Sequence, residues 1–453
     1  MYKIKFISLL IVFLVNILGL PLNVFGAQNI SINNDNFIDN NLNRTVLKEI
    51  ELSRFNELFK YENTKTSRLF PYRYFAGQES SAAGVNAGLI VGLVAREEHL
   101  NKPKLIHPVT LEYSLFPQMI GQYIGGCEPI YELMLKSRKY YSLKRNGLIP
   151  SLAIKHVEQL NGQINSIVNL NPASTNEIFN QEYKVIKLLQ ESLYLEYKQF
   201  HVTARLFNIF QNSSFVMDSA KNLTGAIGNM IGVISIYERQ PKINGPAFLL
   251  TTVSGCLIVL GPLVSRLNRA ILSYRLQKEF NSDVENEYIN KLAQYINSYN
   301  KLTKIIKTHP ESIINKNSLD SRLSFYKYQE NIFKTSLDQI KANKKTGKKL
   351  ALAQIPVGLV VGSTKIALGV CGMIAGFKFF HDPDDAQTLV ADGSIPYICG
   401  TGISMVDNLR ILGIGQVDYF KNKKAYKLPY QIYDNYLDNL DKVELNVKAN
   451  IIK

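Results

Sequence analysis

The sequence predicts a mainly α fold, in which long helical hairpins form a coiled-coil-like bundle that carries glycine-rich, apolar, membrane-embedded helices. Two observations support this expectation: a heptad pattern in the middle of the chain, and apolar stretches dotted with glycine that occur as two pairs. The first pair is 223–236 with 247–264, and the second is 350–380 with 395–415. Glycine is a poor helix former in water but a good contact residue between helices in lipid.

The heptad pattern lies between the two apolar pairs and forms two seams. The residues of the first seam are Tyr288, Leu292, Tyr295, Tyr299, Leu302 and Ile306. The residues of the second are Leu319, Leu323, Tyr326, Glu330, Phe333, Leu337 and Ile340. Because Pro310 and a short link separate the seams, they predict an antiparallel helical hairpin.

Each apolar pair is expected to continue a long amphipathic helix. Before the first pair, apolar residues recur at steps of three and four from Ile186 to Phe207, and no helix breaker lies between Glu177 and Gly225. The two pairs also resemble each other: Met230 and Met373, like Cys256 and Cys399, are 143 residues apart. This similarity indicates either a duplication or the shared composition of apolar helices.

The glycines fall at a spacing suited to close helix packing. The predicted helix-packing residues are Gly84, Gly88, Gly92, Gly228, Gly232, Gly358, Gly362, Gly372 and Gly376. In water each would cost about 1 kcal/mol relative to alanine, so their number favours lipid. A homo-oligomer that associates through these glycine faces is a further expectation, and a soluble bundle with a very apolar end is the alternative.

The net charge of +15 favours anionic partners. Because the chain has no nucleic-acid signature and its basic residues cluster beside the apolar stretches, an anionic lipid membrane is the expected partner and nucleic acid is not. The predicted contacts to lipid head groups are Arg266, Arg269, Arg275, Lys344, Lys345, Lys348, Lys349, Lys421, Lys423 and Lys424.

The start of the chain has the pattern of a secretory signal peptide. Lys3 and Lys5 precede an apolar run that ends at Leu20, and Ala27 follows a possible cleavage position at Gly26. An uncleaved N-terminal anchor is the alternative. Either interpretation predicts an exported protein, embedded in a bacterial inner membrane or associated with the membrane in the periplasm.

Composition and the positions of glycine and proline divide the chain into six segments. Residues 1–26 are the signal peptide or anchor, 27–70 a polar tail with a short helix, and 71–156 an irregular segment punctuated by glycine and proline that contains one apolar, glycine-spaced helix. Residues 157–310 are a first helical unit, 311–430 a second, and 431–453 a polar C-terminal tail.

The sequence offers no catalytic, cofactor or metal motif. The six histidines do not fall at metal-ligand spacing, and the acidic run from Asp382 to Asp385 lacks the spacing of a calcium loop. The lysine-rich segment around Gly347 lacks the first glycine and the Ser/Thr of a phosphate-binding loop. We therefore expect no enzymatic activity and no bound cofactor.

These observations predict a structural, scaffold or interaction component of a bacterial envelope. The alternative is a pore-forming or transport-related membrane protein. That alternative requires a polar stripe through the apolar helices, for which the candidates are Asn229, Ser254, Ser363, Thr364, Lys365, Asp407 and Arg410.

Overall fold

The computed structural model describes residues 34–65, 69–101, 108–169, 176–238, 240–280, 283–310, 315–425 and 428–451. The predicted signal peptide, residues 1–26, lies outside them. The described residues form ten α-helices, one short 3₁₀ helix and no strand, so the mainly α prediction is confirmed. The α-helices are α1 (Asn34–Thr64), α2 (Phe70–Asn101), α3 (Pro108–Arg145), α4 (Pro150–Val168), α5 (Glu177–Tyr237), α6 (Asn244–Phe280), α7 (Val284–Thr308), α8 (Lys316–Lys378), α9 (Pro383–Lys424) and α10 (Pro429–Ile451).

The helices are arranged in two parts, which we call the head and the ring. The head contains α1, α4, α7, α10 and the N-terminal halves of α5 and α8, which share one hydrophobic core. The ring contains α2, α3, α6, α9 and the C-terminal halves of α5 and α8. In the ring each helix packs on the next in the order α2, α3, α5, α6, α8, α9, and α9 packs back on α2.

Helices α5 and α8 connect the two parts. They are 61 and 63 residues long, which at 1.5 Å per residue makes each about 90 Å. Helix α5 is unbroken from Glu177 to Tyr237, as its periodicity predicted. At the end of the ring away from the head, α5 returns as α6 through the 3₁₀ helix Pro241–Ile243, and α8 returns as α9 through residues 379–382.

Tyrosines and aliphatic residues fill the core of the head. The first heptad seam is buried from Tyr288 to Leu302, and the Tyr295 hydroxyl donates a hydrogen bond of 2.7 Å to the Tyr326 carbonyl of α8. Helix α7 packs mainly along α5 rather than pairing with α8 over its length. It touches α8 through rings such as Tyr295 against Phe333, whose centroids are 5.8 Å apart. The two seams therefore meet through side chains at a few positions, and not along their whole length as the predicted antiparallel hairpin requires.

The described residues of segment 71–156 are mostly helical, although the sequence indicated an irregular segment with one glycine-spaced helix. The segment contains α2, α3 and the start of α4, and Pro117 and Pro129 lie inside α3. Proline removes one backbone hydrogen bond and bends a helix, but packing against α2 and α5 on either side keeps α3 continuous. Gly147, at φ 70°, then provides the left-handed turn between α3 and α4.

Both chain ends of the described region are also more helical than the sequence indicated. Helix α1 begins at Asn34 and ends at Thr64, so helix covers much of the segment 27–70 that was predicted as a polar tail with a short helix. The predicted polar tail 431–453 is largely helix α10, which packs on α1 and α8. Its core residues Tyr436, Leu440 and Val447 recur at helical spacing but are separated by many polar residues. Both predicted helical units, 157–310 and 311–430, therefore contribute helices to the head and to the ring.

Candidate functional site

The ring has an apolar outer face, and its interior contains buried polar side chains beside apolar ones. Large apolar side chains are exposed on the outer face of all six ring helices: Ile90, Val94, Ile120, Ile124, Ile227, Ile234, Leu249, Val253, Leu359, Val370, Ile395 and Ile403. Polar side chains are buried among the same helices: Ser81, Gln118, Gln122, Asn222, Thr251, Lys365, Ser394 and Thr401.

Three ring helices are long and apolar enough to cross a membrane, among the described residues. They are Asn244–Phe280, Ile355–Lys378 and Asp384–Lys424. Two of them correspond closely to the apolar stretches 247–264 and 350–380 singled out in the sequence. The third contains Asp407 and Arg410, whose side chains form an i,i+3 ion pair at 2.5 Å.

Most predicted packing glycines lie where two ring helices approach closely. A Cβ on Gly84 or Gly88 would collide with a backbone carbonyl of α3, that of Pro117 or Ser114. A Cβ on Gly228 would lie 2.8 Å from the Ala247 carbonyl of α6. At these positions a larger residue requires the helices to separate.

Glycines also lie where α6 and α8 approach each other closely. A Cβ on Gly362 would lie 2.5 Å from Val259, and Cβ atoms on Gly372 and Gly376 would collide with the Phe248 ring and the Gly245 backbone. Gly232 is close to Leu115, at 3.1 Å, whereas Gly92 and Gly358 make ordinary contacts. All these contacts are made within one chain. A homo-oligomer through the same faces stays a prediction, and these contacts would have to open for it to form.

The ring encloses two cavities, one behind the other. The larger, of about 1200 Å³, lies on the side of the head and reaches Tyr61 of α1 and Tyr430 of α10. The smaller, of about 380 Å³, lies on the far side and is lined by all six ring helices. Both volumes fall in or slightly above the range of small-molecule sites in proteins.

Lys365 and Tyr397 line both cavities and mark the boundary between them. Lys365 is only 2% exposed, and its ammonium group lies 5.7 Å from the centroid of the Tyr397 ring. Among the described residues no carboxylate forms an ion pair with it. A buried ammonium with an aromatic ring as its neighbour is incompletely compensated, because a cation–π contact replaces only part of its hydration.

Hydrogen bonds between polar side chains fix the helices around this boundary. Ser81 of α2 donates to Asn222 of α5 at 3.1 Å, and Asn229 of α5 donates to Gln122 of α3 at 3.2 Å. Thr401 of α9 donates to Asn86 of α2 and so joins the last ring helix to the first. The polar interior is therefore an ordered part of the ring.

Among the described residues that line the larger cavity, the one acidic residue is Asp218, and its charge is balanced by a neighbouring lysine. Asp218 forms an ion pair with Lys221 at 2.5 Å and accepts a hydrogen bond from the Tyr74 hydroxyl. The cationic residues Lys65, Lys221, Arg266 and Lys365 also line this cavity. Positive charge therefore exceeds negative charge along its wall.

The polar candidates named from the sequence have different positions. Asn229 and Lys365 line the cavities, and Ser254 is buried with its hydroxyl 2.5 Å from the Lys221 carbonyl. Ser363 is exposed on the outer face, Thr364 donates to carbonyls of its own helix, and Asp407 pairs with Arg410. The sequence did not indicate Gln118, Gln122 and Arg96, since they lie in α2 and α3, where it predicted no hairpin. The signal that could have found them is the glycine spacing of Gly84 and Gly88 against Gly121 and Gly125.

The predicted lipid head-group residues lie where the ring meets the head. Arg269, Arg275, Lys421, Lys423 and Lys424 are exposed near the C-terminal ends of α6 and α9. Arg266 lines the larger cavity. Lys344, Lys345, Lys348 and Lys349 lie on the part of α8 that joins head and ring, and their side chains are outside the described part of the molecule.

The head contains a buried ion cluster that joins three helices. The fully buried guanidinium of Arg322 donates to both carboxylate oxygens of Glu182, at 2.6 and 3.0 Å, and to Asp39 at 2.7 Å. It also donates to Asn43 and Ser318. Burial lowers the pKa of Arg322, but Glu182 and Asp39 outweigh this and raise it above its ordinary value. The geometry fits a structural clamp between α1, α5 and α8.

Two further carboxyl groups in the head are buried without a cation bound to them. Burial, and then the charge of Glu182, raises the pKa of Glu49, whose two oxygens have no hydrogen-bond partner among the described residues. Burial, and then the charge of Glu57, raises the pKa of Glu196 to about 8. Both groups therefore favour the protonated, neutral form in the folded protein.

Glu196→Gln should stabilise the protein at alkaline pH. Because the pKa of Glu196 is higher in the folded than in the unfolded chain, its contribution is complete below about pH 4.5 and is lost as the pH rises through about 8. The advantage of the variant should grow over this interval by at most about 1.4 kcal/mol per pH unit. Chemical unfolding at pH 5, 7 and 9 measures it. An advantage that does not change with pH would contradict the assignment. Glu191→Gln, on the partly exposed pair with Lys291, is the control.

The described residues contain no group of three or more His, Cys, Asp or Glu side chains arranged to hold a metal ion. Comparisons of the chain with protein-family models, with curated proteins and with solved structures find no match.

Proposed function

We propose that the chain is a transport-related membrane protein whose six-helix ring spans the bilayer and provides the path of a small solute. One observation carries this proposal: the outer face of the ring is apolar on every helix, whereas its interior contains buried polar side chains, Lys365 among them, and two cavities. Lipid tolerates apolar side chains and satisfied helical backbones but excludes unpaired polar groups. Ionisable groups inside membrane helices typically mark the path of a solute or ion.

The arrangement supports transport more strongly than the structural role that the sequence placed first. A scaffold that only packs helices in lipid gains nothing from a buried lysine and about 1200 Å³ of internal space. Lys365 and Tyr397 lie between the cavities. This geometry favours a carrier with a closed middle layer over a permanently open pore. The head remains in water, and the basic residues at its junction with the ring face the lipid head groups.

Proteoliposomes test the proposal directly. The purified protein should remain with the membrane after a carbonate wash. After reconstitution it should accelerate the uptake of at least one of three labelled solutes: inorganic phosphate, mannitol or choline. Valinomycin with potassium on both sides holds the membrane potential at zero. Uptake of all three no faster than in protein-free liposomes would overturn the proposal.

Two neighbouring variants separate the path from the outer face. Ser404 lines the larger cavity, whereas Ile403 is 47% exposed on the outside of the same helix. Ser404→Trp should reduce uptake strongly because the indole occupies the path. Ile403→Trp should leave uptake unchanged, since it exchanges one apolar side chain on the lipid face for another. Equal activity of the two variants would contradict an internal route.

A further inference from the structure

The smaller cavity has an unusual balance of charge. Two cationic residues, Lys365 and Arg96, are among its lining residues, and the described residues of the lining include no aspartate or glutamate. Neutral polar side chains complete its polar wall, namely Ser114, Gln118, Gln122, Asn229, Asn244, Thr251, Gln387, Ser394 and Tyr397. Leucine and phenylalanine side chains such as Leu89, Leu368 and Phe248 provide the remainder.

Lys365 and Arg96 both have N–H groups for which the described residues provide no hydrogen-bond acceptor. Lys365 is buried and makes no ion pair or hydrogen bond with any described residue, although its ammonium carries three donors. The guanidinium of Arg96 donates to Thr388 at 3.2 Å, while its buried Nε has no partner in the described part of the chain. Burying a charge without a partner destabilises a protein strongly. The ammonium group of Lys365 lies at the boundary between two cavities and has no anionic partner among the described residues. It is therefore available to pair with an anionic ligand.

We infer that the smaller cavity is a binding site for a small organic anion, whose carboxylate or phosphate group pairs with Lys365 and whose body lies among the amide, hydroxyl and aromatic side chains. The volume of about 380 Å³ limits the ligand to a small molecule. Because the described lining residues carry no carboxylate, Lys365 and Arg96 repel cations from this cavity. The inference rests on the proposed function, because it names the class of solute that the same path takes.

Equilibrium binding to the purified full chain in a non-ionic detergent tests the inference without any need for transport. The probes are labelled inorganic phosphate and benzoate, which share the anionic group but differ in the body, and choline as the cationic control. We expect at least one anion to bind and choline not to bind. Lys365→Gln should weaken anion binding at least tenfold, and Lys365→Arg should retain most of it. Lys301→Gln, at an exposed lysine of the head, should change nothing.

Thermal melting shows whether a variant is folded. Because Lys365→Met removes an uncompensated buried charge, the ligand-free variant should melt at a higher temperature than the parent, and added anion should no longer raise it. Binding of neither anion by the parent, or equal binding by Lys365→Gln, would overturn the inference. Anion binding without uptake into proteoliposomes would instead overturn the transport proposal. Uptake of mannitol or choline without anion binding would support the transport proposal and overturn the inferred anion site.

Discussion

Arg322→Met should lower the free energy of unfolding by about 3–5 kcal/mol, the range seen when one partner of a buried ion pair is removed. Methionine has a similar length and fills much of the space, so the main loss is electrostatic. Glu182 and Asp39 would then be buried without the guanidinium that now lies 2.6–2.7 Å from them. The three helices joined by the cluster, α1, α5 and α8, belong to one core.

Chemical unfolding of the head, followed by far-ultraviolet circular dichroism, measures this loss. The control is Arg205→Met, which removes a pair to Glu279 that is 38% and 51% exposed and should change stability by about 1 kcal/mol or less. Adding Glu182→Gln to the Arg322→Met chain should recover part of the loss, since it removes one of the stranded charges. A loss at Arg322 no larger than at Arg205 would show that the cluster is not a clamp.

The helical class and the long helices could be predicted from the sequence because their signals are local. The periodicity around Tyr197 and Tyr295 depends on residues within one helix, and so does the apolar run that ends α8. The closure of the ring could not be predicted in this way. It depends on α9 meeting α2, more than 280 residues away, through contacts such as Thr401 with Asn86 that leave no pattern in either segment.

The candidate site was only partly visible for the same reason. Lys365 could be noticed because a lysine interrupts an otherwise apolar run. Arg96 and Gln122 were harder to notice, since their helices contain prolines and polar residues that indicate loops in a water-soluble protein, and only the glycine spacing of these helices pointed to close packing. In the ring those polar residues face inward and the prolines are held by neighbouring helices, so the usual interpretation of such residues does not apply.

Gly84→Ala should destabilise the ring by about 1–3 kcal/mol, whereas Gly402→Ala should leave it as stable or slightly more stable. Both glycines lie inside ring helices, and both changes add one methyl group. At Gly84 the methyl group meets the Pro117 carbonyl and the Gly121 backbone, with the Gly121 Cα at 3.1 Å. At Gly402 nothing lies within 4 Å, so the variant gains the higher helix propensity of alanine without a clash.

The melting temperature of the detergent-solubilised protein measures both effects in one assay. The pair separates two explanations of the glycine-rich helices. If glycine serves only to make the helices flexible, both substitutions should shift the melting temperature in the same direction. If glycine allows the backbones of α2 and α3 to meet, only Gly84→Ala should lower it.

Gly376→Ala provides an independent case, because its methyl group would meet the backbone of Gly245 in the contact between α6 and α8. Close approach at these positions keeps the ring narrow, and a narrow ring brings Lys365 and Tyr397 together between the two cavities. Widening either contact should therefore also weaken the anion binding that we infer for the smaller cavity.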